Sequence, residues 1–544
     1  MPDEEKPQKK TVKKRKTTRK KPVKKTTKAE EPVKKEIKKE KKKTRKPGTK
    51  KNLVWIGIAI VVVILGLLSV EFLTKSEPEP TVEEVLEQVA VTPVEEITVR
   101  PPAVAGTWYP EWKSVLRDEI GVFFFDLDNQ LENTKVPALI VPHAEIDFSG
   151  AVAAAGYKTV ADKNFKRAII IGPSHHVQFE GVALTSYDAW RTPLGNIRVA
   201  ETDLADDQVF RINDEALAEE HSIEVQVPFL QVLFPDIEIV PLAVGTMDEA
   251  SRATAATKIG ALLDEQTLLV ISSDLSHYHE AAECETIDRD TIDKILTGEP
   301  EQVAEIDACG VEPILIAILI ANEREWGRQE LVYANSGDAT GDDSSVVGYT
   351  AIAFTAGEAA SSFEQFEVSA EQQQYLLELA RTTIETYLID GTTYVPEEPD
   401  DEFLTAVRGA FVTLTIDDEL RGCIGHTVAQ EALYLSVRDN AINAAVNDSR
   451  FDPLTVEELN SIKIEVSILT DSEPVSLYAI QKGVDGVILS QPSGGATFLP
   501  KVWEDFDSFT GFMEALSLKA GLKKDAWKSD LTEFARYRAK DFAE

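Results

Sequence analysis

The 544-residue chain carries 57 Lys+Arg against 93 Asp+Glu, a formal net charge of -36. This length accommodates two or three domains with sizeable cores, and so acidic a balance argues against nucleic acid as a partner of the main domains. Three cysteines, Cys284, Cys309 and Cys423, are too few for a disulfide framework.

The charge is unevenly placed. Residues 1–51 hold 24 Lys+Arg and 7 Asp+Glu, which leaves 33 basic and 86 acidic residues for the rest. The basic segment has almost no aromatic or large apolar residues, cannot bury a core, and is expected to be disordered. From Asn52 to Val70 the chain is uncharged over 19 residues, close to the roughly 20 apolar residues that a spanning helix needs. We expect a single retained transmembrane helix over 52–73, because a cleaved signal peptide has a shorter apolar region and a small-residue cleavage site. Lys and Arg collect on the cytoplasmic side of a span. The N-terminus is therefore expected in the cytoplasm, its basic tail against anionic lipids of the cell membrane, with the acidic domains extracytoplasmic. Residues 74–98, rich in Glu, Pro, Thr and Val, read as an extended acidic linker.

From 99 to 357, apolar strand-like runs alternate with helix-like stretches, which predicts an α/β domain. Strands are expected at 237–244, 267–271 and 346–354, and helices at 222–234, 250–264 and 313–323. Six of the seven histidines lie between 143 and 279, and they cluster where strands end. Residues 138–141 run into Pro142-His143, residues 168–171 into Gly172-Pro173-Ser174-His175-His176, and residues 268–271 into Ser272-Ser273-Asp274-Leu275-Ser276-His277-Tyr278-His279. In open α/β sheets ligands bind just beyond the carboxyl ends of strands, and histidine is both a metal ligand and a base near neutral pH. Imidazoles from His143 and His175 with a third anionic ligand would suit iron, copper or zinc. The alternative is a hydrogen-bonded or catalytic histidine cluster without metal. Neighbouring side chains diverge, which argues against His175 and His176 sharing one ion.

Asp274 at a strand end can orient a histidine or ligate a cation. His221 precedes Glu224 by three residues, so both share one helix side, as a base and its orienter or as a surface pair. Cys309 begins an apolar helix, where a thiolate is favoured and binds soft metals, although a buried inert thiol has the same surroundings. The polar run 335–345 reads as a turn-rich loop that either closes over a crevice or links strands.

A small-residue stretch near 357–362 marks a second boundary, and the pattern then becomes α+β over 363–544. A long amphipathic helix at 370–388 precedes a strand pair around 403–416 that meets Leu420-Arg421-Gly422-Cys423-Ile424-Gly425-His426. Glycines around Cys423 imply a tight turn or the close approach of another backbone or a ligand. A packed turn is the simpler reading, and a pocket around Arg421, Cys423 and His426 is the other.

Ordered motifs over residues 99–357 resemble the Memo family, component B of the AmmeMemoRadiSam system. They are Val104-Ala105-Gly106-Thr107-Trp108-Tyr109, Pro142-His143-Ala144, Gly172-Pro173-Ser174-His175-His176, Glu220-His221-Ser222-Ile223-Glu224, Ser273-Asp274-Leu275-Ser276-His277, Cys309-Gly310, Ser336-Gly337-Asp338 and Val347-Gly348-Tyr349. Residues 363–544 resemble the AMMECR1 domain, component A of that system, through Leu420–Gly425, Asp448-Ser449-Arg450-Phe451, Ile464-Glu465-Val466-Ser467-Ile468-Leu469 and Thr497-Phe498-Leu499-Pro500-Lys501-Val502-Trp503.

The resemblance implies a fold like that of class III extradiol dioxygenases, with a mononuclear metal on His143, His175 and Cys309. Asp274, His277 and His221 are then the expected acid–base or orienting groups. Iron or copper would imply a redox enzyme, and zinc a hydrolytic one. A ligating cysteine favours softer ions, notably reduced copper. The resemblance implies a radical SAM protein as partner, and it also admits a non-catalytic binding or scaffold protein that recognises a peptide or small ligand. One departure stands out: relatives usually carry Gly after His-Ala, where this chain has Glu145, with Asp147 close behind. An added carboxylate there could ligate the metal, change its charge or narrow access.

Overall fold

A computed structural model of the protein describes residues 97–358 and 366–544. The expected basic tail and transmembrane helix lie outside the described residues, as does nearly all of the acidic linker. Among the described residues no helix is long and apolar enough to cross a membrane.

The N-terminal half is built on a nine-stranded sheet. Its centre consists of parallel strands: Ala138–Val141 pairs with Thr267–Ser272, which pairs with Arg167–Pro173, which pairs with Glu238–Val244. Antiparallel neighbours extend it, Val346–Thr355 beside Ala138–Val141 and Gly327–Asn335 beyond that. The central strands read as continuous apolar runs because helices cover both faces. Leu139 and Val141 enter one core with Leu116, Ala153, Tyr157 and Phe229, while Ala138 and Ile140 enter the other with Ala255, Ile259, Ile292 and Ile314. The helices that supply these residues are Lys113–Phe125, Ile146–Lys158 and Gln226–Leu233 on one side, and Glu249–Ala261, Ala281–Thr297 and Val311–Glu323 on the other.

One expected helix is two. Residues 222–234 divide at Val225 into His221–Glu224 and Gln226–Leu233. Pro228 has no N–H to give and fits only within a first turn, which the break provides. The polar run expected as a loop contains a short helix, Ser336–Thr340, capped by Asn335.

The C-terminal half holds two four-stranded sheets. Residues 402–405, expected to begin a strand, form a helical turn, because the Asp401 carboxylate accepts from the Phe403 and Leu404 amides. The strands that follow are Ala410–Ile416 and Glu419–His426. Ala370–Asp390 is the long helix, closed by Gly391 at a φ of 68°, the left-handed C-terminal stop that glycine adopts without strain.

The described residues of both halves pack as one compact unit. Phe124 and Phe125 share a core with Tyr478, Phe509 and Trp527, and Phe125 stacks on Phe509 with ring centroids 4.7 Å apart. At the end of Ile146–Lys158, the buried Lys158 ammonium donates to the carbonyls of Tyr478 at 2.9 Å and Ile480 at 3.0 Å. Burial pushes its pKa down to about 8, against the attraction of Asp485.

Candidate metal centre

Three parallel strands deliver the site. His143 follows Ala138–Val141, His175 follows Arg167–Pro173, and Asp274 follows Thr267–Ser272. Cys309 stands two residues before Val311–Glu323 and is fastened to the third strand end. The Asp274 amide donates to Cys309 Sγ at 3.2 Å and the Cys309 amide to the Asp274 carbonyl at 3.3 Å. The ligand atoms of His143, His175 and Cys309 all lie within 4.8 Å of one another. Nε2 of His143 is 3.2 Å from Cys309 Sγ.

Hydrogen bonds fix which nitrogen of His143 carries the proton. Ser272 Oγ lies 2.5 Å from the Ser222 carbonyl, to which its single proton must go. The same oxygen accepts from Gln226 Nε2 at 2.9 Å. His143 Nδ1, at 3.0 Å, is therefore a donor to it, and the Nε2 lone pair is left for a ligand. His175 is held by a carboxylate instead. Its Nδ1 sits 2.9 Å from Glu220 Oε1 and its amide donates to Glu220 Oε2 at 2.7 Å. This is the arrangement that orients metal-ligating histidines. Glu220 also caps the helical turn His221–Glu224, accepting from the Ser222 amide at 2.8 Å.

The electrostatics agree with a ligand role. Burial, then the neighbouring His175, lowers the His143 pKa to about 3, so its imidazole is neutral at pH 7. His221 is likewise lowered to about 3, chiefly by burial. Burial alone would raise Glu220, but its hydrogen bonds from His175 and Ser222 bring it down to about 2. The Cys309 thiol is pushed up by burial and by Asp274. Two imidazole lone pairs and a sulfur that can be deprotonated on binding form a donor set that fits a soft or borderline transition metal.

The other predicted residues surround this set. Asp274 is buried, accepts from the amides of His143 at 2.7 Å and Ala144 at 3.3 Å, and has its pKa raised by burial. His277 is half-buried and close enough for its charge to act on both His143 and Asp274. His221 stacks on His175, at 4.4 Å between centroids, and meets Trp108 on a tilted ring contact at 4.1 Å. His279 lies apart, with Glu283 at 3.6 Å and Asp307 at 3.9 Å.

Glu224 does not orient His221. Its carboxylate is buried with Arg100 and accepts from Arg100 Nη1, the Tyr109 hydroxyl and two backbone amides, so it fastens residues 100–109 to the domain. The carboxylate beside His221 is Glu220, 3.6 Å away. Glu145 is half-buried at the start of Ile146–Lys158 and belongs to neither cluster of ligand atoms found among the described residues, the second being His175, Glu220 and His221.

Sequence reasoning missed Glu220, Ser272 and Gln226. The signal for Glu220 was an acid directly before a helical histidine, at a capping position. Ser272 and Gln226 gave none, because their role depends on strand and helix meeting in space. Behind the loop 274–277, Asp288 accepts from the Ser276 amide at 2.9 Å, the Cys284 thiol at 3.1 Å and the Tyr333 hydroxyl at 3.0 Å. A Cβ at Gly348 would lie 1.7 Å from Asp288 Oδ2, so only glycine leaves room for this carboxylate.

Residues 100–353 match the family model described as Memo-like protein, and residues 377–542 match the one described as AMMECR1. A MEMO1 family protein of Methanosarcina mazei is 37% identical over 269 residues, covering 47% of this chain and 98% of that relative. MEMO1 family proteins of Methanopyrus kandleri and Thermoplasma acidophilum are each 34% identical. They cover 47% and 46% of this chain, with 99% and 97% of their own lengths matched. A crystal structure of an uncharacterized protein from Pyrococcus horikoshii is 31% identical, covers 33% of this chain and 94% of its own, and superposes with a TM-score of 0.32.

Proposed function

The chain belongs to the MEMO1 family, here joined to an AMMECR1 domain, and from that premise we propose that it is a metal-dependent redox enzyme centred on His143, His175 and Cys309. The observation that carries this reading is the preset His143 tautomer, whose unprotonated Nε2 lies 3.2 Å from Cys309 Sγ, with a ring nitrogen of His175 near enough for all three to share one ion.

When bound, iron or copper would supply electron transfer with a substrate, whereas zinc would polarise one. The protein's own groups do the rest. Glu220 and Ser272 hold the two imidazoles in position. Asp274, with its raised pKa, and His277 are placed to hold or move a proton beside the ligands. Trp108 and His221 line one side of His175, His221 against its ring and Trp108 tilted beyond. The sulfur ligand favours softer ions, reduced copper among them. We place the protein at the cell membrane through the uncharged stretch 52–70, its domains extracytoplasmic.

Elemental analysis of the purified full chain tests the centre. Stoichiometric iron or copper is expected in the wild type, with loss in His143→Ala and Cys309→Ala. No stoichiometric metal, or equal metal in the variants, refutes it and leaves a binding protein that retains the pocket. Stoichiometric zinc would retain the ligands and refute the redox assignment.

A further inference from the structure

A cavity of 870 Å³ lies where the two halves meet, and no residue of the metal centre lines it. The N-terminal half walls it with the helix Lys113–Phe125, the turn between Ala189–Thr192 and Gly195–Arg198, and the end of Gln226–Leu233. The C-terminal half closes it with residues 474–478 and 527–535. Small-molecule sites favour such junctions, and the volume falls within their usual range of roughly 300–1,000 Å³.

One wall is a locked aromatic cluster. Phe125 lies parallel to Tyr478 at 6.1 Å and to Phe509 at 4.7 Å, and Trp527 meets it edge-on at 5.4 Å. All four rings are buried, so each fixes the next and the wall is formed before anything enters. Leu194, Val232, Leu477 and Phe534 add apolar surface.

The charged groups largely cancel. Arg117 pairs with Asp530, and Lys528 with Asp118 at 3.0 Å, two ion pairs of opposite sense across the junction. Glu533, also on the wall, is exposed. An anion entering this space meets Glu533 and finds both cations taken. A cation would lose its water among apolar walls, and an exposed carboxylate offsets little of that loss.

Most polar groups on the walls are spent as well. Gln231 donates to the Gly195 carbonyl at 3.0 Å and Thr532 to the Ala526 carbonyl at 2.6 Å. Ser476 differs. It lines the cavity, yet its Oγ is buried with no hydrogen-bond partner among the described residues. A buried hydroxyl without a partner calls for an explanation, and an acceptor on a bound molecule supplies one.

We propose that this cavity binds a small, uncharged and mainly apolar molecule carrying one hydrogen-bond acceptor, to which the Ser476 hydroxyl donates. The aromatic wall and the aliphatic side chains take the apolar body, and Glu533 turns acids away. Binding here does not depend on metal.

Photolabelling of the full chain with benzophenone tests it, because the uncharged ketone is both the acceptor and the group that cross-links on illumination. Labelling is expected to saturate at one benzophenone per chain and to map to residues 231–235, 474–478 and 527–535. Benzoylbenzoate, the same ketone with a carboxylate, should need a concentration about fivefold higher for half-saturation, the effect of one nearby unit charge in water. Ser476→Ala should raise the half-saturating concentration of benzophenone about fivefold, the net worth of one hydrogen bond. Val232→Trp, which fills the cavity from the N-terminal half, should remove the labelling. Labelling that fails to saturate, or that maps outside these segments, overturns the proposal. Equal half-saturation for the two ketones, or a Ser476→Ala or Val232→Trp chain that labels as wild type does, overturns it too.

Discussion

Glu224→Gln should unfasten the start of the N-terminal domain without touching the metal ligands. Glu224 Oε2 accepts from Arg100 Nη1 at 2.5 Å and the Ala103 amide at 2.8 Å, and Oε1 from the Tyr109 hydroxyl at 2.6 Å and the Val104 amide at 3.0 Å. A glutamine has one acceptor oxygen, so its NH2 must face two donors whichever way the amide turns. Leaving a buried donor unsatisfied costs about 1–3 kcal/mol. Breaking a buried ion pair on one side costs about 3–5 kcal/mol, and Arg100 and Glu224 are almost fully enclosed. The two estimates share the Arg100 contact, so the expected loss is about 4 kcal/mol. Hydrogen exchange across 98–109 reads it as easier local opening, and urea unfolding reads the total. A loss below about 1 kcal/mol, with exchange unchanged, would refute the assignment of Glu224 as the fastening. Arg100→Met combined with Glu224→Met should recover part of the loss, because no charge is then stranded. The folded Glu224→Gln protein should keep its metal.

Ser272→Ala removes the acceptor for His143 Nδ1, so metal affinity measured against a competing chelator should fall roughly 10–100-fold; an affinity within about twofold of wild type contradicts the tautomer. Lys158 tests the junction of the halves through pH. Its folded pKa of about 8 lies below the unfolded value near 10.4, so the unfolded chain binds more protons between them. The burial penalty is full below the folded pKa and disappears as pH rises through the window. Wild type should therefore gain roughly 3 kcal/mol on Lys158→Met between about pH 7 and pH 10, measured by denaturant titration at each pH. A flat difference contradicts the burial of a charged Lys158.

Much of the centre was visible in the sequence because continuous apolar strands end in chemistry. Residues 138–141 and 168–171 needed only their composition to be read as strands of an α/β domain, and His143 and His175 followed from where those strands stop. Cys309 was reachable through the family resemblance rather than through spacing, since more than a hundred residues separate it from His143. Glu224 was misread because three-residue spacing on a helix says only that two side chains share a side, and the Arg100 that claims this one lies far back in the chain. The pocket expected around Cys423 shows the same limit. Arg421 and His426 are neighbours of Cys423 in sequence, but alternating strand geometry and the Glu458 partner draw them away. Lys501, which donates to the Thr413 opposite Cys423, arrives from the helical turn Pro500–Asp505 instead. The aromatic junction between the halves was hidden for a related reason: Phe124 and Tyr478 each look like ordinary core residues of their own segments.

The helix Ile146–Lys158 has one end in each half of the molecule. Its first amide donates to the Trp108 carbonyl at 3.0 Å, beside the wall of the metal centre, and its last residue is socketed in the carbonyls of Tyr478 and Ile480. Thirteen residues make a shaft of about 20 Å. The C-terminal half thus holds one end of a helix whose other end borders the candidate metal centre. The far end of that shaft begins three residues after His143.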